Sequence, residues 1–184
     1  MNRSTVVLIV LLALSLAGAC TKQALKTTYD RQTTNIENFV STRMKSDTNA
    51  TLVKTGGSFR LTMHDTLGLA DSLDWDGQVV LSYACYILSS SSVSSANLVA
   101  TNVKSVARSA GWNLSDTTGF GLDTLRLDKT LIEGLRNGLW GVQPGDEAFI
   151  LFTGEFGFEN RERGTIPANS ALVYQVWIES IKNE

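Results

Sequence analysis

Three features of the sequence predict an α+β protein in which a curved antiparallel sheet wraps on a short helix, preceded by an N-terminal helix and hairpin. Alternating apolar residues mark several strands. Gly-Gly, Asp-Gly and Pro-Gly pairs punctuate them, and only short stretches space their apolar residues as a helix does. The chain has 184 residues, 43% of them hydrophobic, with 2 prolines and a formal charge of -2, which suits one globular domain plus a short extra segment. A near-neutral charge offers no basic face to a phosphate backbone, so no nucleic-acid partner is expected. No Gly-rich loop ends in Lys-Ser or Lys-Thr, so nothing predicts a nucleotide phosphate site.

The first residues differ from the rest. Arg3 gives a positive start and Val6 to Leu16 is almost continuously apolar, too short for a membrane span but suited to a signal-peptide core. Ala17-Gly18-Ala19 then precedes Cys20, an arrangement that resembles the lipobox of bacterial lipoproteins; Ala17 departs from the commoner Leu. The resemblance implies that residues 1–19 are removed and that Cys20 is acylated, holding the protein to a membrane. An ordinary secretory signal with an incidental cysteine, or a membrane-anchored N-terminus, would read similarly. Thr21 to Lys26 lack the acidic run that resembles a surface-export tag in some Gram-negative lipoproteins, so the expected location is the cell envelope, facing the periplasm.

Residues 20–32, rich in Thr, Lys and Gln, read as a flexible tether. Residues 33–73 read as a helix and hairpin. Ile36, Phe39, Val40 and Met44 share one helical face, suited to core packing or, alternatively, to dimerisation. Thr51 to Met63 alternates around the turn Gly56-Gly57. The main domain, residues 74–183, opens at Asp76-Gly77 with the strand Val79 to Leu88. A Ser-rich loop follows from Ser89 to Ser95, then a short helix from Val103 to Ala110 and a strand holding Leu122, Leu125 and Leu127. Leu131 to Leu139 reads as a helix, and Gln143-Pro144-Gly145-Asp146 as a type II turn. Strands at Ala148 to Thr153 and Ala171 to Ile181 flank a glycine-punctuated loop.

Little in the composition suggests metal or nucleophilic chemistry. His64 is the only histidine. With Cys20 lipidated, Cys85 has no disulfide partner, and its apolar run makes it a buried small hydrophobe. No metal site, cofactor or Ser-His-Asp arrangement is expected.

The C-terminal run resembles the FKBP-type peptidyl-prolyl isomerases. Leu131-Ile132-Glu133-Gly134-Leu135 is similar to the family's hydrophobic pair, Gly and pocket-floor helix. Gly138-Leu139 and Pro144-Gly145-Asp146 match the turn leaving that helix. Phe156-Gly157-Phe158 falls where the family has Gly before a pocket Tyr. Ile166-Pro167-Ala168-Asn169-Ser170-Ala171-Leu172-Val173-Tyr174 resembles the Ile-Pro-Pro-X-Ala-Thr-Leu-Val-Phe signature, and Gly77 to Tyr83 the strand that carries a pocket Tyr. The likeness spans residues 74–183, dense in the last 55 and thin between 84 and 122.

The resemblance implies an FKBP-like fold and a cofactor-free enzyme acting on proline-containing polypeptide clients. Its catalytic positions would be Tyr83, Ile132 (through its backbone N–H) and Phe158. Its substrate-binding positions would be Val99, Leu131, Leu135, Ile166 and Tyr174, with Leu135 where some members have Trp. Each of these apolar residues also fits plain core. Two departures predict weakened catalysis. Val99-Ala100 stands where the family usually carries Phe-Asp, and Phe158 lacks the Tyr hydroxyl. A non-catalytic binding module or chaperone in the cell envelope is the alternative, and a structural subunit a third.

Overall fold

The computed structural model describes residues 3–64, 71–115 and 119–183, with side chains given from residue 22 onward except for His64. Two compact units divide the chain, residues 1–31 and residues 32–184. Helix α1 runs Arg3–Ser46, so residues 20–32 are helical where a flexible tether was expected. The physical reason is legible afterwards: no Gly or Pro interrupts Cys20 to Ser46, and the Thr27 and Thr28 hydroxyls donate back to the carbonyls of Gln23 and Ala24.

The second unit is an α+β fold with, among the described residues, seven antiparallel strands: β1 Thr51–Thr55, β2 Ser58–His64, β3 Gln78–Ile87, β4 Leu98–Thr101, β5 Asp123–Arg126, β6 Glu147–Phe152 and β7 Leu172–Lys182. The spatial order is β1-β2-β6-β7-β3-β4, and β5 pairs with β3 ahead of β4. Among the described residues this unit also carries the end of α1 and two short α-helices, α2 Lys104–Ser109 and α3 Glu133–Leu139. The hairpin at 51–64 is part of this sheet, because β2 pairs with β6 along its whole length. Strand β4 was not foreseen; the serines before it hid a four-residue strand.

Strand alternation divides the apolar residues between two faces. Ala148, Ile150 and Phe152 of β6 join Leu81 and Cys85 of β3, Val176 of β7, and Leu135 and Leu139 of α3 in one core. Phe149 and Leu151 point the other way, against Ile36, Phe39 and Val40 from α1. Ile36, Phe39 and Val40 of the α1 stripe are therefore core packing, while Met44 is exposed.

α3 can lie close on β6 because of its glycines. A Cβ at Gly134 would fall 2.2 Å from the Phe152 ring, and one at Gly138 would fall 2.1 Å from Ile150 Cγ2. The Ser58 hydroxyl donates to the Gly134 carbonyl and fixes the helix over β2.

Candidate functional site

Strand β3 is the backbone of the site. β5 pairs with its first half (Leu81↔Asp123) and β4 with its second (Cys85↔Ala100), leaving a break along that side opposite Tyr83. Asn102, buried just past β4, closes the break. Its Oδ1 accepts the Tyr83 N–H at 2.7 Å and its Nδ2 donates to the Leu81 carbonyl at 3.1 Å. The Thr101 hydroxyl donates to the Tyr83 carbonyl at 2.7 Å. Side chains thus replace a missing ladder and hold Tyr83 in place.

Cross-strand partners share a face, so Leu81, Tyr83, Ala100 and Asp123 converge. They line a cavity of about 160 Å³ with Leu125, Leu131, Leu135 and Tyr174. The walls are aliphatic, and the polar groups are two phenols and one carboxylate. The Tyr83 and Tyr174 rings lie 6.1 Å apart, and Phe152 stacks on Tyr174 at the same distance.

Burial raises the pKa of Tyr83 and Tyr174 and of Cys85, which lies in the core beside them. The Tyr83 phenol goes up through desolvation, then through the nearby Asp123 carboxylate and Cys85. Cys85, wholly buried, is pushed up to about 12 by desolvation, and the Tyr174 hydroxyl that donates to its sulfur only partly offsets this. Tyr174 rises well above the usual phenol range through burial, then through Cys85 and Tyr83. At neutral pH both phenols keep their protons within aliphatic walls, the Tyr174 proton turned to Cys85.

Of the residues predicted from sequence, Tyr83, Leu131, Leu135 and Tyr174 line this cavity. Val99, Ile132, Phe158 and Ile166 are partly buried against the same apolar core but are not among the lining residues. Ile132 is the residue before α3; its carbonyl accepts the Arg136 N–H at 3.0 Å. Phe158 and Ile166 belong to the 154–170 loop, where the Arg163 guanidinium lies 5.9 Å from the Phe158 ring. Cys20 falls within α1, in the part whose side chains lie outside the described residues.

Gln32 of α1 pins that loop from beneath. Its Oε1 accepts the Gly154 N–H at 2.9 Å and its Nε2 donates to the Asn169 carbonyl at 2.6 Å. Gly154 permits the approach, since a Cβ there would meet the Asn169 backbone at 2.5 Å.

Sequence reasoning missed Leu81, Leu125, Asn102 and Asp123. Ala100 does line the cavity, but a carboxylate already reaches it from β5. A restored Asp at position 100 would share that small space with a like charge. Hollows elsewhere are larger, one of about 480 Å³ between α1 and the β1–β2 hairpin and one of about 280 Å³ beside the Ser-rich loop. Neither combines enclosing aliphatic walls with convergent phenols.

An open antiparallel sheet wrapped on a short helix, with an apolar cavity between them, is the architecture of FKBP domains. Solved structures carry the same fold. The three FKBP domains of wheat FKBP73 align with a TM-score of 0.56 at 13% identity, over 73% of this chain and 52% of theirs. FkpA from Escherichia coli aligns at 0.53 and 16% identity, over 99% of this chain and 74% of its own. A peptidyl-prolyl cis-trans isomerase from Pseudomonas syringae aligns at 0.53 and 12% identity, covering 83% and 96%. The chain spans about half the length of the wheat structure. Residues 120–179 match the family model described as FKBP-type peptidyl-prolyl cis-trans isomerase. No curated protein sequence matches the chain significantly.

Proposed function

We propose that this protein is a peptidyl-prolyl cis-trans isomerase that assists the folding of exported proteins from a lipid anchor at Cys20. The observation that carries the enzymatic reading is the cavity of Tyr83, Leu131, Leu135 and Tyr174, built largely within the segment that matches the isomerase family.

Rotation about an amide crosses a barrier of ~18–20 kcal/mol, because resonance gives the C–N bond double-bond character. That resonance separates charge onto the carbonyl oxygen, and water stabilises the planar, charge-separated form. Aliphatic walls strip the water away and so favour the less polar twisted amide; binding it better than either planar isomer is the whole of the catalysis. No nucleophile or metal takes part. The cavity has room for a prolyl ring, with the Tyr83 hydroxyl as a donor to orient the chain and the Tyr174 hydroxyl turned to Cys85.

The purified full chain, given a Leu-Pro tetrapeptide in a protease-coupled assay, is expected to accelerate isomerisation, and Leu135→Lys to abolish the acceleration. No acceleration by a folded wild type rejects the enzyme. The groove between α1 and the hairpin, lined by Val40, Met44, Leu52 and Phe59, favours a second reading as a holding chaperone. In that case the chain suppresses aggregation of an unfolded protein without turning over proline peptides.

The anchor and its location, facing the periplasm of a Gram-negative bacterium, rest on Ala17-Gly18-Ala19-Cys20. Wild-type chain expressed in such a host should incorporate radioactive palmitate and Cys20→Ala should not. An unlabelled wild type removes the anchor from the proposal.

A further inference from the structure

The cavity wall is uncharged except at Asp123, the one charged side chain among the described residues that line it. Its placement is fixed by register. Asp123 pairs with Leu81, and the alternation of β5 puts Asp123 and Leu125 toward the cavity while Thr124 and Arg126 point away. Arg126 in turn meets Asp128 at 3.9 Å. One Asp123 oxygen accepts the Thr124 N–H at 2.9 Å, and no basic side chain neutralises it among the described residues. Asp123 is exposed as well as lining, so it stands at the mouth.

A space of about 160 Å³ holds little beyond one prolyl ring. The residues on either side of the proline must therefore cross the mouth, where the carboxylate stands. We infer that Asp123 makes the site charge-selective, favouring client segments with Lys or Arg beside the proline over those with Glu or Asp. An uncompensated negative charge next to low-dielectric walls acts on a passing charge with little screening. The Tyr83 phenol on the floor is raised mainly by burial and, secondarily, by the Asp123 carboxylate.

The inference rests on the cavity being the proline site, and the test separates the two ideas. The full chain is assayed on Ala-Xaa-Pro-Phe peptides with Xaa as Lys, Leu or Glu. The Lys peptide is expected to exceed the Glu peptide in kcat/KM by about three- to tenfold at low salt, the ratio shrinking as ionic strength rises. In Asp123→Asn the ratio falls toward one, and in Asp123→Lys it inverts. Turnover with no Lys-over-Glu preference, or a preference that survives Asp123→Asn, overturns the inference and leaves the isomerase reading standing. If no peptide is turned over, that reading fails, and the same peptides are titrated by NMR. A Kd preference for Lys that Asp123→Asn removes supports the charge-selective mouth, while equal affinities, or no binding, overturn it too. Should either variant fail to fold, the salt dependence of the wild-type ratio decides, a salt-independent ratio being the refuting result.

Discussion

Replacing Gly134 with Ala sets two local effects against each other. Ala is the better helix former by about 1 kcal/mol, so α3 taken alone would gain. The packing opposes this. The new Cβ would stand 2.2 Å from Phe152 Cγ and within 2.6 Å of both Cδ atoms. Carbon atoms in contact prefer about 3.5–4.0 Å, so the overlap exceeds 1 Å. Phe152 is wholly buried and stacked on Tyr174, so its ring has no free space behind it. Overpacking of this kind costs about 1–3 kcal/mol, and a ring trapped on both sides belongs at the upper end. The net loss is about 2 kcal/mol. For a chain of this size each kcal/mol moves Tm by roughly 2–4 °C, so a fall of about 4–8 °C is expected in scanning calorimetry. Because α3 carries Leu135 and Phe152 touches Tyr174, turnover of proline peptides should fall as well. A Tm at or above that of the wild type would refute the close-packing argument.

Asn102→Ala leaves the Tyr83 N–H and the Leu81 carbonyl without their side-chain partners, at about 1–3 kcal/mol each, so urea unfolding should register a loss of about 2–6 kcal/mol. A loss below about 1 kcal/mol means that water or a shifted strand replaces both bonds. Gln32→Ala should speed hydrogen exchange at the Gly154 amide, seen by mass spectrometry; unchanged protection would mean that the loop holds itself. Alkaline pH tests the burial of Cys85. Its thiol ionises near 9 when unfolded and near 12 when folded, so the folded state keeps a proton that the unfolded state loses. The resulting stability is complete below pH 9 and is lost as pH rises toward 12. The slope approaches ~1.4 kcal/mol per pH unit. Cys85→Ala should flatten the stability profile between pH 9 and 10, before the tyrosines contribute, and an equally steep decline would contradict the assignment.

The strands were legible where polar residues alternate with apolar ones, as in Phe59-Arg60-Leu61-Thr62-Met63, whereas Phe149-Ile150-Leu151-Phe152, buried on both faces, reads only as a continuous apolar run. The pocket tyrosines were found through the resemblance of Gly77 to Tyr83 and of Ile166 to Tyr174 to a known family. Asp123 was not, because its role depends on which residue of β3 it pairs with, and register between strands forty residues apart leaves no local trace. The leucines around β5 even misdirected the reading, for Leu122 proves largely exposed. Asn102 was invisible for a related reason: it substitutes for a ladder whose absence appears only once β4 and β5 are seen to stop short of each other. The glycines of α3 were placed in a helix, but that they let it lie on Phe152 and Ile150 shows only in the packing.

The pairing of β2 with β6 also decides where this protein can be cut. A chain beginning at residue 74 would keep nearly every residue that resembles the isomerase family, yet it would lose β1, β2 and Gln32 together. β6 would then become an edge strand, its row of unpaired N–H and C=O groups running from Glu147 to Phe152 beside a highly apolar sequence. Such an edge is a template for intermolecular pairing, so the shortened protein should aggregate more readily than the longer one.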